Sequence, residues 1–157
     1  MVLAAADRGV RVSVVRLPPS VHGRGDHAFV PALIDIARRT CVAAFVGDGA
    51  NRWPAVHRLD AARLFRLALE KAAPGSRLHG AAEEGIPMRA IAEAIGQGLG
   101  VPGRGMAEDE AAAHFDWLAG FGAFDNPTSS ALTRNALEWR PREPELLTDM
   151  RDSGYFS

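Results

Sequence analysis

The sequence predicts an α/β fold: a partial parallel sheet followed by a small, mainly helical region. Three observations carry this. "VRVSVV", Val10 to Val15, is a β-branched run with apolar residues on both faces, the mark of a strand covered on two sides as in a parallel sheet. Short apolar strands alternate with amphipathic helices along the chain. Finally, 157 residues with 47% hydrophobic and 24% charged side chains suit one domain with a real core.

The elements follow in order. Residues 1–9, "MVLAAADRG", read as the last turns of a helix closed by Gly9. The strand Val10–Val15 stops at Pro18-Pro19, and few other segments offer it a lateral partner. "PPSVHGRGDH" reads as a loop by its Pro, Gly and Asp content. "FVPALIDIARR" is helical with Pro31 in its first turn. "CVAAFV", Cys41 to Val46, is a short strand that makes Cys41 a core residue rather than a nucleophile. "AVHRLDAARLFRLALEKAAPG" passes from strand to helix, with Asp60 as N-cap and Ala61, Leu64, Phe65, Ala68 and Ala72 on the inner face. "RLHGAAEEG" allows another strand. "IPMRAIAEAIGQGLG" is a helix with Ile91, Ile95 and Leu99 inward, and "AEDEAAAHFDWLAGF" is another with acidic residues in its first turn. Two short helices flank Trp139-Arg140-Pro141. About 1–46 hold the sheet elements and about 47–157 the mainly helical region, in one unit.

Composition excludes several functions. With 18 basic against 19 acidic residues, nothing favours nucleic acid or an acidic membrane surface. No apolar run reaches the roughly 20 residues of a membrane span. The N-terminus is a poor signal peptide, and one cysteine suits a reducing compartment, so a cytoplasmic location is expected. "GLGVPG", Gly98 to Gly103, matches G-x-G-x-x-G, yet a helix rather than a strand precedes it, so it reads as a helix end and loop. "HGRGDH" gathers His22, Asp26 and His27, but no HExxH or CxxC accompanies them, and no metal site is expected. There is no G-x-S-x-G elbow. "GDGANRWPAVHRLDAARLF" admits two readings: a strand–helix junction with Trp53 packed and Arg52 solvated, or a pocket rim presenting Arg52 and His57.

Four segments, in order over about 10–141, resemble a known family. "VVRLPPSVHGRGD" is similar to the R-P-x-x-V-Y-G segment of extended short-chain dehydrogenases/reductases, the NAD(P)-dependent epimerase/dehydratase group. "NRWPAVHRLDAARLFRLALE" resembles their R-x-x-x-H-V-x-D-x-A segment, and "IPMRAIAEAIGQGLGVP" the helix after it. "SSALTRNALEWRP" is similar to their S-x-K-x-x-x-x-L-G-W-x-P, with Glu138 where Gly is usual.

The resemblance implies late strands of a Rossmann-type sheet and a substrate-binding region. It implies Pro18, Pro19, Ser20 and Val21 beside the nicotinamide of NAD or NADP. His22, in place of the usual Tyr, would stand near the substrate. Arg52 approximates an arginine that holds substrate phosphate, although its distance to Asp60 is one residue longer than the usual pattern. His57 would stand beside it, with a strand-end hydrogen bond as its other role and a helix cap as that of Asp60. In the family a glycine fingerprint and a catalytic Tyr-x-x-x-Lys come earlier. Here the one tyrosine is Tyr155 and the one lysine Lys71, so these residues contain no such pair and no catalytic residue is assigned. The expectation is a C-terminal portion of an oxidoreductase or epimerase acting on a small-molecule substrate and inactive alone. The alternatives are a non-enzymatic binding protein that self-associates or pairs with a separate N-terminal chain, or a truncated product without its own function. Neither the substrate nor the choice between NAD and NADP is readable from these residues.

Overall fold

Gly9 decides where the first strand can begin. The computed structural model describes residues 3–157, so Met1 and Val2 of the expected first helix lie outside the described residues. Leu3–Arg8 form a 3-10 helix that Gly9 closes at φ +80°, its N–H donating to Ala6 O at 3.0 Å while Val10 N–H reaches Ala5 O at 3.2 Å. A tight bend from Val12 N–H to Val10 O delays the strand, and β1 spans Ser13–Arg16 rather than Val10–Val15. It pairs in parallel with β5, Ser13↔Ser76 to Arg16↔His79, so the "RLHG" segment supplies the lateral partner that the sequence seemed to lack. β1 is half-buried rather than covered on both faces.

The expected loop "PPSVHG" contains a strand, β2, Ser20–His22. Pro18 and Pro19 have no N–H to place in a ladder, which ends β1 and starts the chain on a new course. Helix α1 is Phe29–Thr40, burying Val30, Leu33, Ile34, Ile36 and Ala37. Cys41 is neither strand nor core: it ends α1 in the left-handed conformation at φ +56°, exposed. β3 is therefore Ala43–Val46.

β4, Arg52–His57, is the middle strand of a three-stranded sheet, parallel to β2 on one side and antiparallel to β6 on the other. Pro54 sits at the register shift between Trp53 and Ala55, a bulge being where a sheet tolerates a missing donor. Helix α2, Arg58–Lys71, is capped by His57, whose Nδ1 accepts from Leu59 N–H at 3.2 Å. Asp60 is not the cap. It is fully buried in the first turn, where its carboxylate accepts from the N–H groups of Arg142 and Glu143 and from Arg63. Trp139 Nε1–H donates to Asp60 O at 3.1 Å, tying the C-terminal segment to α2. Phe65, expected inward, is 45% exposed.

β5 (Ser76–His79) and β6 (Glu83–Pro87) precede α3, Met88–Leu99, which buries Ile91 and Ile95 fully and Leu99 partly. "GLGVPG" is the end of α3 with Gly100 left-handed at φ +69°, and it leads into β7, Gly103–Met106, parallel to β3. The expected third helix is broken: α4 covers Glu108–Phe115, Asp116 turns at φ +51°, and α5 is the single turn Ala119–Gly122. α6, Ala131–Leu137, and α7, Leu146–Asp152, flank Trp139 as expected, with Glu138 itself left-handed at φ +53° where the resembled segment carries Gly.

One apolar core joins α1, α3, β3 and α7; a second lies between α2, β5 and Trp139. The architecture is mixed α/β with parallel pairing, as predicted. No helix among the described residues is long and apolar enough to cross a membrane.

Candidate functional site

The parallel register of β2 on β4 sets Ser20 beside Ala55 and His22 beside His57. The two imidazoles meet edge to face with centroids 5.3 Å apart. His22 is buried, and its Nδ1 lies 2.8 Å from Asp149 Oδ2 of α7. A carboxylate there can only accept, so Nδ1 carries the proton and donates. Ser153 Oγ donates to the other Asp149 oxygen at 2.5 Å. His22 Nε2 has no hydrogen-bond partner among the described residues and faces Glu83 Oε2 at 3.9 Å. Glu83 accepts the N–H of Leu146 at 2.7 Å, at the start of α7.

Burial pushes the His22 pKa below the ordinary imidazole value, against the pull of Asp149. Burial pushes Glu83 the other way, above the usual carboxylate range, although the Leu146 N–H partly restrains it. Both shifts favour a neutral pair. Tyr155 closes this end: its hydroxyl accepts from Gly23 N–H at 3.0 Å and donates to Asp26 Oδ2 at 3.1 Å. Burial first, with Asp26 and Asp149 nearby, raises its pKa well above the ordinary phenol value, so it is no source of tyrosinate. Gly23 is required where it stands, at φ +135°, since a Cβ would come within 2.9 Å of Arg58 Cγ and 3.0 Å of His57 Nε2. Beside this latch lies an open cavity of about 160 Å³ bordered by Arg24, Asp26, Asp35, Arg38 and Tyr155.

The structure thus places Ser20, Val21, His22 and His57 on adjoining strands, with Pro18 and Pro19 immediately before them. Pro18, Ser20, His22 and His57 are buried, and Pro19 and Val21 half-buried. Ser20 Oγ, like His22 Nε2, is buried without a partner among the described residues. Arg52 is not among them. It opens β4 five residues before His57, roughly 16 Å away along a strand. There its Nε and Nη2 form a fork on Asp125, at 3.1 and 2.9 Å, and its own N–H donates to Asp125 Oδ1 at 2.7 Å. Around it gather aromatic rings. Phe29 packs edge to face on Trp53 at 5.3 Å and tilts against Phe121 at 5.5 Å and Trp117 at 6.1 Å. Trp117, Phe121 and Phe124 are 63%, 49% and 60% exposed.

The three residues of "HGRGDH" stand apart in their surroundings: His22 is buried, Asp26 accepts from Tyr155, and His27 is exposed. No group of three or more metal-ligating side chains occurs among the described residues. Sequence reasoning missed Glu83, Asp125, Asp149 and Tyr155, because each reaches its partner from an element distant in sequence rather than through a local motif.

No family model matches the chain. An uncharacterized protein of Schizosaccharomyces pombe is 53% identical over 154 residues, 98% of this chain and 52% of the relative. An uncharacterized protein of Saccharomyces cerevisiae is 48% identical over 149 residues, 95% of this chain and 50% of the relative. The chain therefore spans about half the length of these curated relatives. A 2-alkyl-3-oxoalkanoate reductase of Stenotrophomonas maltophilia is 34% identical over 106 residues, 64% of this chain and 32% of the relative.

Among solved structures, a dTDP-glucose 4,6-dehydratase from Streptomyces venezuelae with NAD bound aligns at TM-score 0.72 and 18% identity, over 98% of this chain and 46% of its own. A nucleoside-diphosphate-sugar epimerase from Pseudomonas aeruginosa aligns at 0.70 and 19%, over 99% and 53%. The Pseudomonas aeruginosa protein RMD, complexed with NADPH, aligns at 0.65 and 15%, over 97% and 49%. The fold of this chain is thus the fold of part of NAD-dependent dehydratase and epimerase structures.

Proposed function

We propose that this chain supplies the nicotinamide-lining loop and the substrate-side elements of an NAD(P)-dependent oxidoreductase or epimerase, and that it does not turn over alone. One observation carries the reading: Pro18–Val21 leave the carboxyl end of the parallel strand β1, where α/β sheets hold ligands. Where that segment enters β2, Ser20 Oγ is a buried polar atom without a partner among the described residues. Two prolines fix the loop's backbone and leave carbonyl acceptors suited to a carboxamide edge. These residues fit the nicotinamide end only. "GLGVPG" follows a helix and precedes a strand, so no pyrophosphate cradle is assigned to it.

When bound, the cofactor supplies or accepts hydride. The part of this chain is positional. Pro18–Val21 border the nicotinamide, and the His22–Asp149 and Tyr155–Gly23 bonds hold β2 and its following loop in place. The tyrosine–lysine pair that moves the proton in the resembled family comes, in this reading, from a segment outside these residues. The reductase at 34% identity favours carbonyl reduction over sugar epimerisation.

The test is a chimera in which this chain replaces the segment it matches in the Schizosaccharomyces pombe relative. The chimera is expected to bind NADH or NADPH, and Ser20→Phe to weaken that binding, while the isolated chain oxidises neither cofactor. A folded chimera that binds neither, or turnover by the isolated chain, overturns the reading.

A second reading has its own observation. Among the described residues β1 pairs only with β5, and near its start Val10 is 51% and Leu69 of α2 71% exposed. An open edge of this kind invites another strand. We infer that a separate N-terminal chain or a second copy covers it, which sedimentation velocity across a concentration series would test.

A further inference from the structure

The Arg52 end of β4 also bears on what kind of substrate this chain would hold. An arginine that is to clamp a phosphate must offer its fork of N–H groups. Arg52 has already given Nε and Nη2 to Asp125, and the same carboxylate takes its backbone N–H. An incoming phosphate would find only the Nη1 edge unengaged and would lie beside the carboxylate's charge. The pair as a whole carries no net charge to draw an anion.

Next to it the surface is aromatic and open. Trp117, Phe121 and Phe124 are all about half exposed or more, with Phe29 bridging Trp117 and Phe121 to buried Trp53. Exposed rings gathered in one place mark binding surfaces rather than solvent-facing accidents. The platform is also held in place. Asn51 Nδ2 donates to Gly122 O at 2.9 Å, and Asn126 N–H donates to Arg52 O at 2.9 Å, so the segment carrying Phe124 is pinned on both sides to the start of β4 and the residue before it. Flat apolar faces beside a neutralised ion pair complement an uncharged, apolar group.

We propose that the substrate end of this chain seats an uncharged carbonyl compound through its aryl or alkyl part, on Phe29, Trp117, Phe121 and Phe124, and not a nucleoside diphosphate on Arg52. The proposal rests on the reading that this chain forms the substrate side of the site.

The isolated chain without cofactor is titrated with butyrophenone as the neutral probe and UDP-glucose as the anionic one. Binding is followed by saturation-transfer NMR and tryptophan fluorescence. Butyrophenone is expected to bind. Trp117→Ala and Phe121→Ala should each weaken it about tenfold, as loss of an aromatic anchor does, with the circular dichroism melt unchanged. Asp125→Ala, which frees the Arg52 fork, should leave butyrophenone binding intact and strengthen UDP-glucose binding. Three results overturn the proposal: no butyrophenone binding, tighter UDP-glucose binding that Arg52→Ala abolishes, or self-association that Trp117→Ala abolishes. Butyrophenone binding together with a chimera that takes up no NAD(P)H would remove the cofactor reading and leave the platform. The reverse pair of results would remove only the platform.

Discussion

At the His57 end of β4, polar side chains are buried and bonded to one another across three elements. At the Arg52 end, an ion pair of comparable geometry stands in solvent beside open aromatic rings. His22 and Asp149 are 1% and 2% exposed, whereas Arg52 and Asp125 are 48% and 45% exposed. The distances, 2.8 and 2.9 Å, hardly differ. What differs is the surroundings. A hydrogen bond in water's absence is costly to lose because its surviving partner stays desolvated, while an exposed pair is screened and replaced by water. The first end therefore holds the chain together, and the second is free to meet a ligand.

Asp149→Ala should produce the largest effect. It leaves His22 Nδ1–H buried and unpaired and frees Ser153, so a loss of about 2–3 kcal/mol is expected in urea unfolding. A loss no greater than that of an average surface substitution would show that the buried end is not the holding end.

The pH dependence separates the two ends further. Because burial lowers the folded pKa of His22 from about 6.5, the unfolded chain takes up a proton that the folded chain refuses. The contribution of His22 is therefore fully present above that value and is lost as pH falls from it toward the depressed folded one. Glu83 has the opposite sign. Its folded pKa is raised from 4.5, so the fold loses stability as pH climbs from there through the raised value. In His22→Gln the decline of the urea midpoint below about pH 6.5 should be shallower than in the wild type. An unchanged slope would assign the decline to other groups.

Tyr155→Phe comes next, at about 1 kcal/mol, since it removes a hydroxyl that serves both Gly23 N–H and Asp26 without opening a cavity. Hydrogen exchange should quicken at Gly23 and its neighbours and stay unchanged around Trp53. Faster exchange at both would mean that the two ends are one cooperative unit.

How much of this was legible in the sequence follows from how local each signal is. Helices α1, α2 and α3 were readable from apolar spacing, and β3 from a short apolar run, because those patterns are written within one turn or one strand. β2 was hidden inside a Pro- and Gly-rich stretch: three residues become a strand only because Ala55, Val56 and His57 lie alongside. Asp60 looked like an N-cap because acidic residues cap helices. The cap fell instead to His57, and Asp60 was drawn inward by the N–H groups of Arg142 and Glu143, more than eighty residues on. Cys41 looked apolar enough for a core, but α1 needed a left-handed residue where it stands. For the site, His22 and His57 were named from a resemblance and are found side by side. Asp149, Glu83 and Asp125, which decide what the histidines and Arg52 can do, carry no motif and needed the fold to be seen.

The smallest effect is expected at the open end, and it is the sharpest check on the contrast. Trp117 is 63% exposed and stacks loosely on Phe29. Truncating it to Ala removes little buried area, so the urea midpoint should move by less than about 0.5 kcal/mol in stability, as for surface positions generally. Asp125→Ala should likewise leave the midpoint where it is, because water takes over the Arg52 fork. An unfolding midpoint for Trp117→Ala as low as that of Asp149→Ala would mean that the aromatic rings are core rather than platform. The distinction between a holding end and a binding end would then have to be drawn elsewhere on β4.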